Sequence, residues 1–63
     1  MKKGKVKFFN DQKGFGFIND IATGEDIFVH VSGLTTDVRE GDEVTFDVIN
    51  GKKGLNAINV QLA

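Results

Sequence analysis

Lys13-Gly14-Phe15-Gly16-Phe17-Ile18-Asn19-Asp20 and, a short way on, Asp26-Ile27-Phe28-Val29-His30-Val31 are the two runs that decide the fold of this chain. Side chains alternate across a strand with period two. In the first run Phe15, Phe17 and Asn19 therefore share one face, and Gly16 and Ile18 the other. In the second, Ile27, Val29 and Val31 fall together, with Phe28 and His30 opposite them. If the two strands form a hairpin about Thr23 and Gly24, the aliphatic sides meet in a core. Phe15, Phe17, Phe28 and His30 then gather on the side turned to water, with Val31 assigned to the core by parity.

Working outward, glycines recur every few residues between short β-prone runs, the spacing of a compact all-β domain. Strands are expected at 5–10, 14–20, 26–31, 43–49 and 56–62. The turn signals are Asn10 with Asp11, Thr23 with Gly24, Glu40 with Gly41, and the stretch from Asn50 to Gly54. Eight glycines and many β-branched residues leave no uninterrupted helical window. The fourth strand reads as half-buried, with Val44, Phe46 and Val48 inward. Five strands without a helix leave costly edges unless the sheet closes, so the expected fold is all-β, a five-stranded antiparallel barrel of the oligonucleotide-binding type.

A chain of 63 residues holds one domain, taken here as residues 1–63, and at this size folding hides only about 60% of the unfolded chain's surface. There is no cysteine, so no disulfide or thiolate metal site staples the core. Lys2 and Lys3 are followed by Gly4, Lys5, Val6 and Lys7 rather than by the apolar run of a signal peptide, and a cytoplasmic location is expected. The net charge is only −1, but it is unevenly spread. Residues 1–13 carry five lysines against Asp11 alone, a local +4, whereas residues 14–50 set Arg39 against eight acidic residues, a local −7. Lys52 and Lys53 read as solvated charges. A basic N-terminal segment facing an acidic remainder can still give a one-sided positive surface.

Three phenylalanines and a histidine on a wet face mark an interaction site. Flat rings suit nucleobases, and each stacked base is worth roughly 1–3 kcal/mol. Lys13 at the entrance to the aromatic strand, with Lys5 and Lys7 on the first strand, can hold phosphates. Gly14 and Gly16 between the rings would let a ligand backbone or the twisted sheet come close. Phe8 and Phe9 are adjacent and cannot both point outward from a regular strand, so one is core or a bulge re-aims it. Asp26 can bond a base edge or simply flank a turn.

The run Lys13 to Ile18, with Ile27-Phe28-Val29-His30-Val31, resembles the two ribonucleoprotein motifs of the cold-shock domain family. Gly4 to Asn10 resembles that family's first strand, and Glu40 with Gly41 the turn before its fourth. The likeness spans essentially the whole chain. It implies a barrel that binds pyrimidine-rich single-stranded RNA and DNA and loosens RNA secondary structure, as a chaperone or regulator. By this resemblance Phe8, Phe15, Phe17, Phe28 and His30 stack on bases, with Phe9 at the margin, while Lys7, Asn10, Lys13 and Asp26 make the polar and phosphate contacts. The chain departs from the family at three places. Phe8 stands where bacterial members usually carry tryptophan, Val31 where many carry phenylalanine, and the loop from Thr35 to Arg39 is short and lacks its aromatic. Fewer or smaller platforms imply weaker binding or a shorter footprint.

An enzyme is not expected, since there is no cysteine, one histidine, and no nucleophile with a recognisable base and orienting partner. No cofactor is expected, and a lone histidine excludes a multi-histidine metal site. The rival reading is a protein-interaction barrel that docks a peptide or a second subunit on the same aromatic face. The chain is expected to be mainly monomeric, with the short loop after Leu34 favouring a strand-swapped dimer at high concentration.

Overall fold

The structure, a computed structural model, describes residues 2–51 and 54–63. The strands are β1 (Lys2–Asn10), β2 (Phe15–Asp20), β3 (Asp26–His30), β4 (Glu43–Gly51) and β5 (Gly54–Leu62), with a 3-10 turn at Val31–Gly33 after β3. They close into a barrel in the order β1-β2-β3-β5-β4, with β4 returning to β1. Every seam is antiparallel except β3 with β5, which run parallel. Closure removes the open edges that five strands would otherwise expose. Three of the turns fall at the expected signals, with Gly24 and Gly41 both at positive φ, whereas of the expected turn from Asn50 to Gly54 the described residues Asn50, Gly51 and Gly54 belong to the paired strands β4 and β5. Lys52 and Lys53 lie outside the described residues.

The interior is filled by Val6 from β1, Ile18 from β2, Ile27 and Val29 from β3, Val44 and Phe46 from β4, and Ala57 and Val60 from β5. Val38, from the shortened loop, is also buried there. Fully burying a side chain of this size contributes about 1.5–3 kcal/mol, so this set drives closure. Asp20 is the one buried charged residue among those described. Its Oδ1 accepts the Ala22 N–H at 2.9 Å, and Lys2 Nζ stands 3.7 Å from its Oδ2.

Two irregularities set where side chains point. Between Val6 and Phe8, β1 spends two steps against one on β2, from Ile18 to Phe17, so Lys7 is the extra residue of a bulge. On the other side of the barrel β5 spends three steps, Gln61 to Ile58, against Thr45 to Asp47 on β4. There Asn59 takes φ 53°, a left-handed conformation that asparagine tolerates better than most residues.

One expectation is corrected. Val31 is not in the core but 49% exposed. The strand ends at His30, whose Nδ1 accepts the Ser32 N–H at 3.2 Å and so caps the 3-10 turn. Alternation stops there, and the Val31 side chain swings out beside Gly14, whose carbonyl accepts the Val31 N–H at 2.8 Å.

Candidate nucleic-acid interface

The antiparallel registers of β1, β2 and β3 lay the outward side chains out as a grid. Lys5 stands opposite Asn19, which stands opposite Asp26. The next row is Phe8, Phe17 and Phe28. The third is Asn10, Phe15 and His30. An aromatic row thus crosses three strands, bordered by a polar row on one side and a mixed row on the other.

The bulge at Lys7 makes this possible. Without it, period two from Val6 would send Phe8 inward; the extra residue reverses parity, so Phe8 faces out, 38% exposed, and Phe9 packs against the core. The structure therefore does not bring Phe9 to the face. Gly16 is the complement of this arrangement: a side chain there would strike the Phe8 carbonyl and lie 2.7 Å from the Phe9 ring and 2.8 Å from its Cα. Of the two roles open to Gly16, the close approach of the sheet is the one seen.

The rings form a continuous series. Phe8 and Phe17 have centroids 5.6 Å apart and are tilted by 51°; Phe17 and Phe28 meet edge to face at 5.8 Å; Phe28 and Phe15 lie 5.8 Å apart and 24° from parallel. These separations are those of favourable aromatic pairs. Because the rings cover one another, Phe15, Phe17 and Phe28 are half-buried rather than fully exposed.

The polar candidates divide. Lys7 Nζ is 2.8 Å from Asp26 Oδ2, and Asn19 Nδ2 donates to Asp26 Oδ1 at 3.1 Å and to the Gly24 carbonyl at 3.0 Å. The Lys7 ammonium, then Asn19, hold the Asp26 carboxyl below its usual range, since both favour the charged form. Lys7 and Asp26 therefore engage each other at the rim, in an exposed pair that salt screens readily. Asn10 shapes the turn into β2: its Oδ1 accepts the Lys13 N–H at 3.1 Å and its carbonyl the Gly14 N–H at 2.8 Å. This turn presents Lys13, exposed and with no ion pair among the described residues, at the end of the row that holds Phe15. His30 is oriented by Ser32, whose N–H and Oγ both meet Nδ1, the latter at 2.9 Å. An Nδ1 that accepts a backbone N–H carries no hydrogen, which places the ring hydrogen of neutral His30 on Nε2.

One member of the face escaped the residue-by-residue reading: parity hid Val31, although the family resemblance singles out its position. Period two places Asn19 on the face correctly, but nothing in the sequence signals its bond to Asp26.

The comparisons with known proteins agree with this geometry. The 'Cold-shock' DNA-binding domain family matches residues 2–63. The cold shock-like protein CspD of Bacillus cereus is 48% identical over 64 residues, covering 95% of this chain and 96% of its own. Cold shock protein CspC of Bacillus subtilis is 48% identical over the full length of both chains, and cold shock-like protein CspA of Stigmatella aurantiaca is 49% identical over 97% of this chain and 96% of its own. Among solved structures, Drosophila Unr CSD456 superposes with a TM-score of 0.80 at 25% identity over 98% of this chain, which spans 26% of that larger protein. A closed five-stranded barrel, a three-strand aromatic row and matches of this extent lead to one conclusion: the chain belongs to the cold-shock DNA-binding domain family.

Proposed function

We propose that residues 1–63 act as one cold-shock domain that lays a single strand of RNA or DNA across the Phe8-Phe17-Phe28 row, preferring pyrimidine runs. The observation that carries this is the row itself: rings from three adjacent strands at centroid separations of 5.6 and 5.8 Å, with Phe15 continuing it at 5.8 Å. Rings at fixed intervals accept successive bases of any sequence, and weakly self-stacked pyrimidines cost least to unstack onto them. Phe8, Phe15, Phe17, Phe28 and His30 are the stacking set, with Val31 an apolar neighbour. Lys13 meets a phosphate. Lys7 and Asp26 serve the rim as a pair, and Asn10 holds the turn that carries Lys13.

A strand held flat on rings cannot pair with itself, which is how such a protein loosens RNA secondary structure without catalysis. The reading places it in the cytoplasm as an RNA chaperone or regulator. It acts as a monomer, with strand exchange confined to high concentration. Shortness of the loop after Leu34 favours exchange, but its ties to the barrel oppose it: Thr35 N–H and Oγ1 both donate to the Val60 carbonyl at 2.8 and 2.7 Å, and Val38 is buried.

The test is a titration by fluorescence anisotropy of labelled oligothymidine, oligoadenosine and a duplex of equal length. Oligothymidine should bind tightest and the duplex weakest. Equal affinity for duplex and single strand would remove the reading and favour the peptide-docking alternative.

A further inference from the structure

Asn50 stands apart from the other asparagines of the chain. Asn10 Oδ1 accepts the Lys13 N–H, Asn19 Nδ2 donates to Asp26 and to the Gly24 carbonyl, and Asn59 Nδ2 donates to Asp47. Asn56 is half-buried and is followed by buried Ala57. Asn50 is exposed, its carboxamide makes no hydrogen bond with any described residue, and a glycine follows it.

An Asn-Gly pair is chemically labile. The Gly51 backbone nitrogen can attack Asn50 Cγ, closing a five-membered succinimide; the C–N bond of the carboxamide breaks, and its nitrogen leaves as ammonia with the proton that Gly51 gives up. Water then adds to one imide carbonyl and breaks its bond to the Gly51 nitrogen. Opening at Cγ leaves an ordinary aspartate. Opening at the main-chain carbonyl leaves isoaspartate, whose backbone runs through the side-chain carbon. Glycine favours ring closure because no Cβ crowds its nitrogen.

The ladder governs access to this chemistry. Asn50 pairs with Leu55, and Gly51 with Gly54 in the last rung of the β4–β5 hairpin. Extended backbone keeps Cγ from the Gly51 nitrogen, so these two rungs must open first. Cross-strand side-chain pairs are what hold a sheet together, and the Gly51–Gly54 rung has none. The next rung sets Asn50 against a leucine that is itself 42% exposed. Such ends open at a free energy far below that of global unfolding. The fold also retains the glycine: a side chain at position 51 would collide with Asn56 Nδ2 and lie 2.8 Å from its Cγ.

We propose that Asn50 is a self-modification site, at which the folded chain exchanges an amide for a carboxylate through the Gly51 nitrogen. The reaction consumes water, releases ammonia, needs no enzyme, and makes the net charge of −1 more negative by one. In the isoaspartate product the main chain is longer by one methylene, so the last two rungs fall out of register and the hairpin shortens. The inference is independent of what the aromatic face binds.

The experiment ages the purified chain in warm, mildly alkaline buffer beside Asn50→Gln, whose ring would need six members and closes far more slowly, and beside Asn50→Asp as the product standard. Trypsin releases residues 40–52 as one fragment, bounded by Arg39 and Lys52, and separates it from the fragments that hold the other asparagines. In the parent this fragment alone should gain the mass of an amide-to-acid exchange, as two species, one of them labelled by an isoaspartyl methyltransferase. Asn50→Gln should keep its mass throughout. The isoaspartate fraction should melt below Asn50→Asp, which preserves the length of the main chain; equal melting would overturn the loss of register. If the fragment stays unchanged in the folded chain, even while the same chain in denaturant is converted, the ladder protects Asn50 and the site is overturned. Equal conversion of the other asparagines, or of Asn50→Gln, would overturn it as well.

Discussion

Phe17 is the hinge of the aromatic series, since it alone touches a ring on β1 and a ring on β3. Replacing it with alanine should therefore weaken oligothymidine binding by about 1–3 kcal/mol. It also removes two ring pairs from a half-buried position, so some loss of stability is expected with it. Val29, with no exposed surface, sets the scale: Val29→Ala should lower the stability by about 1.5–3 kcal/mol, more than Phe17→Ala, while the molecules that remain folded still bind. Thermal melts paired with anisotropy separate the two, and a Phe17→Ala that unfolds the chain while Val29→Ala does not would reverse the faces. Asp26 gives a pH test. Its carboxyl titrates below the ordinary 3.8 because Lys7 and Asn19 stabilise the charged form. The folded state thus releases this proton more readily than the unfolded chain, and the stabilisation is complete above the unfolded value and disappears as pH falls through the folded one. Between about pH 5 and about pH 3, Asp26→Asn should lose less melting temperature than the parent; identical losses would show that the Lys7 pair contributes nothing to folding.

Where strands run uninterrupted, alternation in the sequence was enough. Gly16 and Ile18 on β2, and Ile27 and Val29 on β3, are buried as period two requires, and the hairpin at Thr23 and Gly24 brings their aromatic sides together. The reading failed at the element ends and irregularities. Nothing about lysine marks Lys7 as a bulge residue, so the direction of Phe8 came from family resemblance and not from periodicity. Val31 was misplaced because the strand yields to a turn one residue earlier, when His30 captures the Ser32 N–H. Burial of Val38 and the Lys7 to Asp26 pair join segments far apart in the chain, which local pattern does not reach. The misplaced residue carries a prediction of its own. Val31 lies exposed beside Gly14, at the rim of the row that ends in Phe15 and His30, so Val31→Phe should add a platform without crowding the core. Affinity for oligothymidine should rise by about 1 kcal/mol, the lower end of a stacked base, at nearly unchanged melting temperature. Unchanged affinity would place Val31 outside the path of the strand.

The whole chain carries a net charge of −1, so its overall field does not draw it to a polyanion, and any steep salt dependence must come from lysines placed at the site. The described structure distinguishes two of them. Lys13 stands exposed at the turn into β2 with no ion pair among the described residues, whereas Lys7 is paired at 2.8 Å with Asp26. A lysine meeting a phosphate releases a condensed counterion from the strand, and each such contact steepens the log–log salt slope by about 0.7 for single strands. A lysine that must share its charge with a carboxylate displaces less. Lys13→Gln should therefore flatten the slope by about 0.7, and Lys7→Gln by clearly less. Asp26→Asn, which frees Lys7, should steepen it. Phe17→Ala should lower affinity at every salt concentration and leave the slope nearly unchanged, because stacking releases few counterions. Measured together on one oligothymidine, these variants separate charge from stacking within a single face. Equal slopes for the parent, Lys7→Gln and Lys13→Gln would exclude both lysines from the phosphate path, and the strand would then have to cross the rings in a direction that leaves this rim in water.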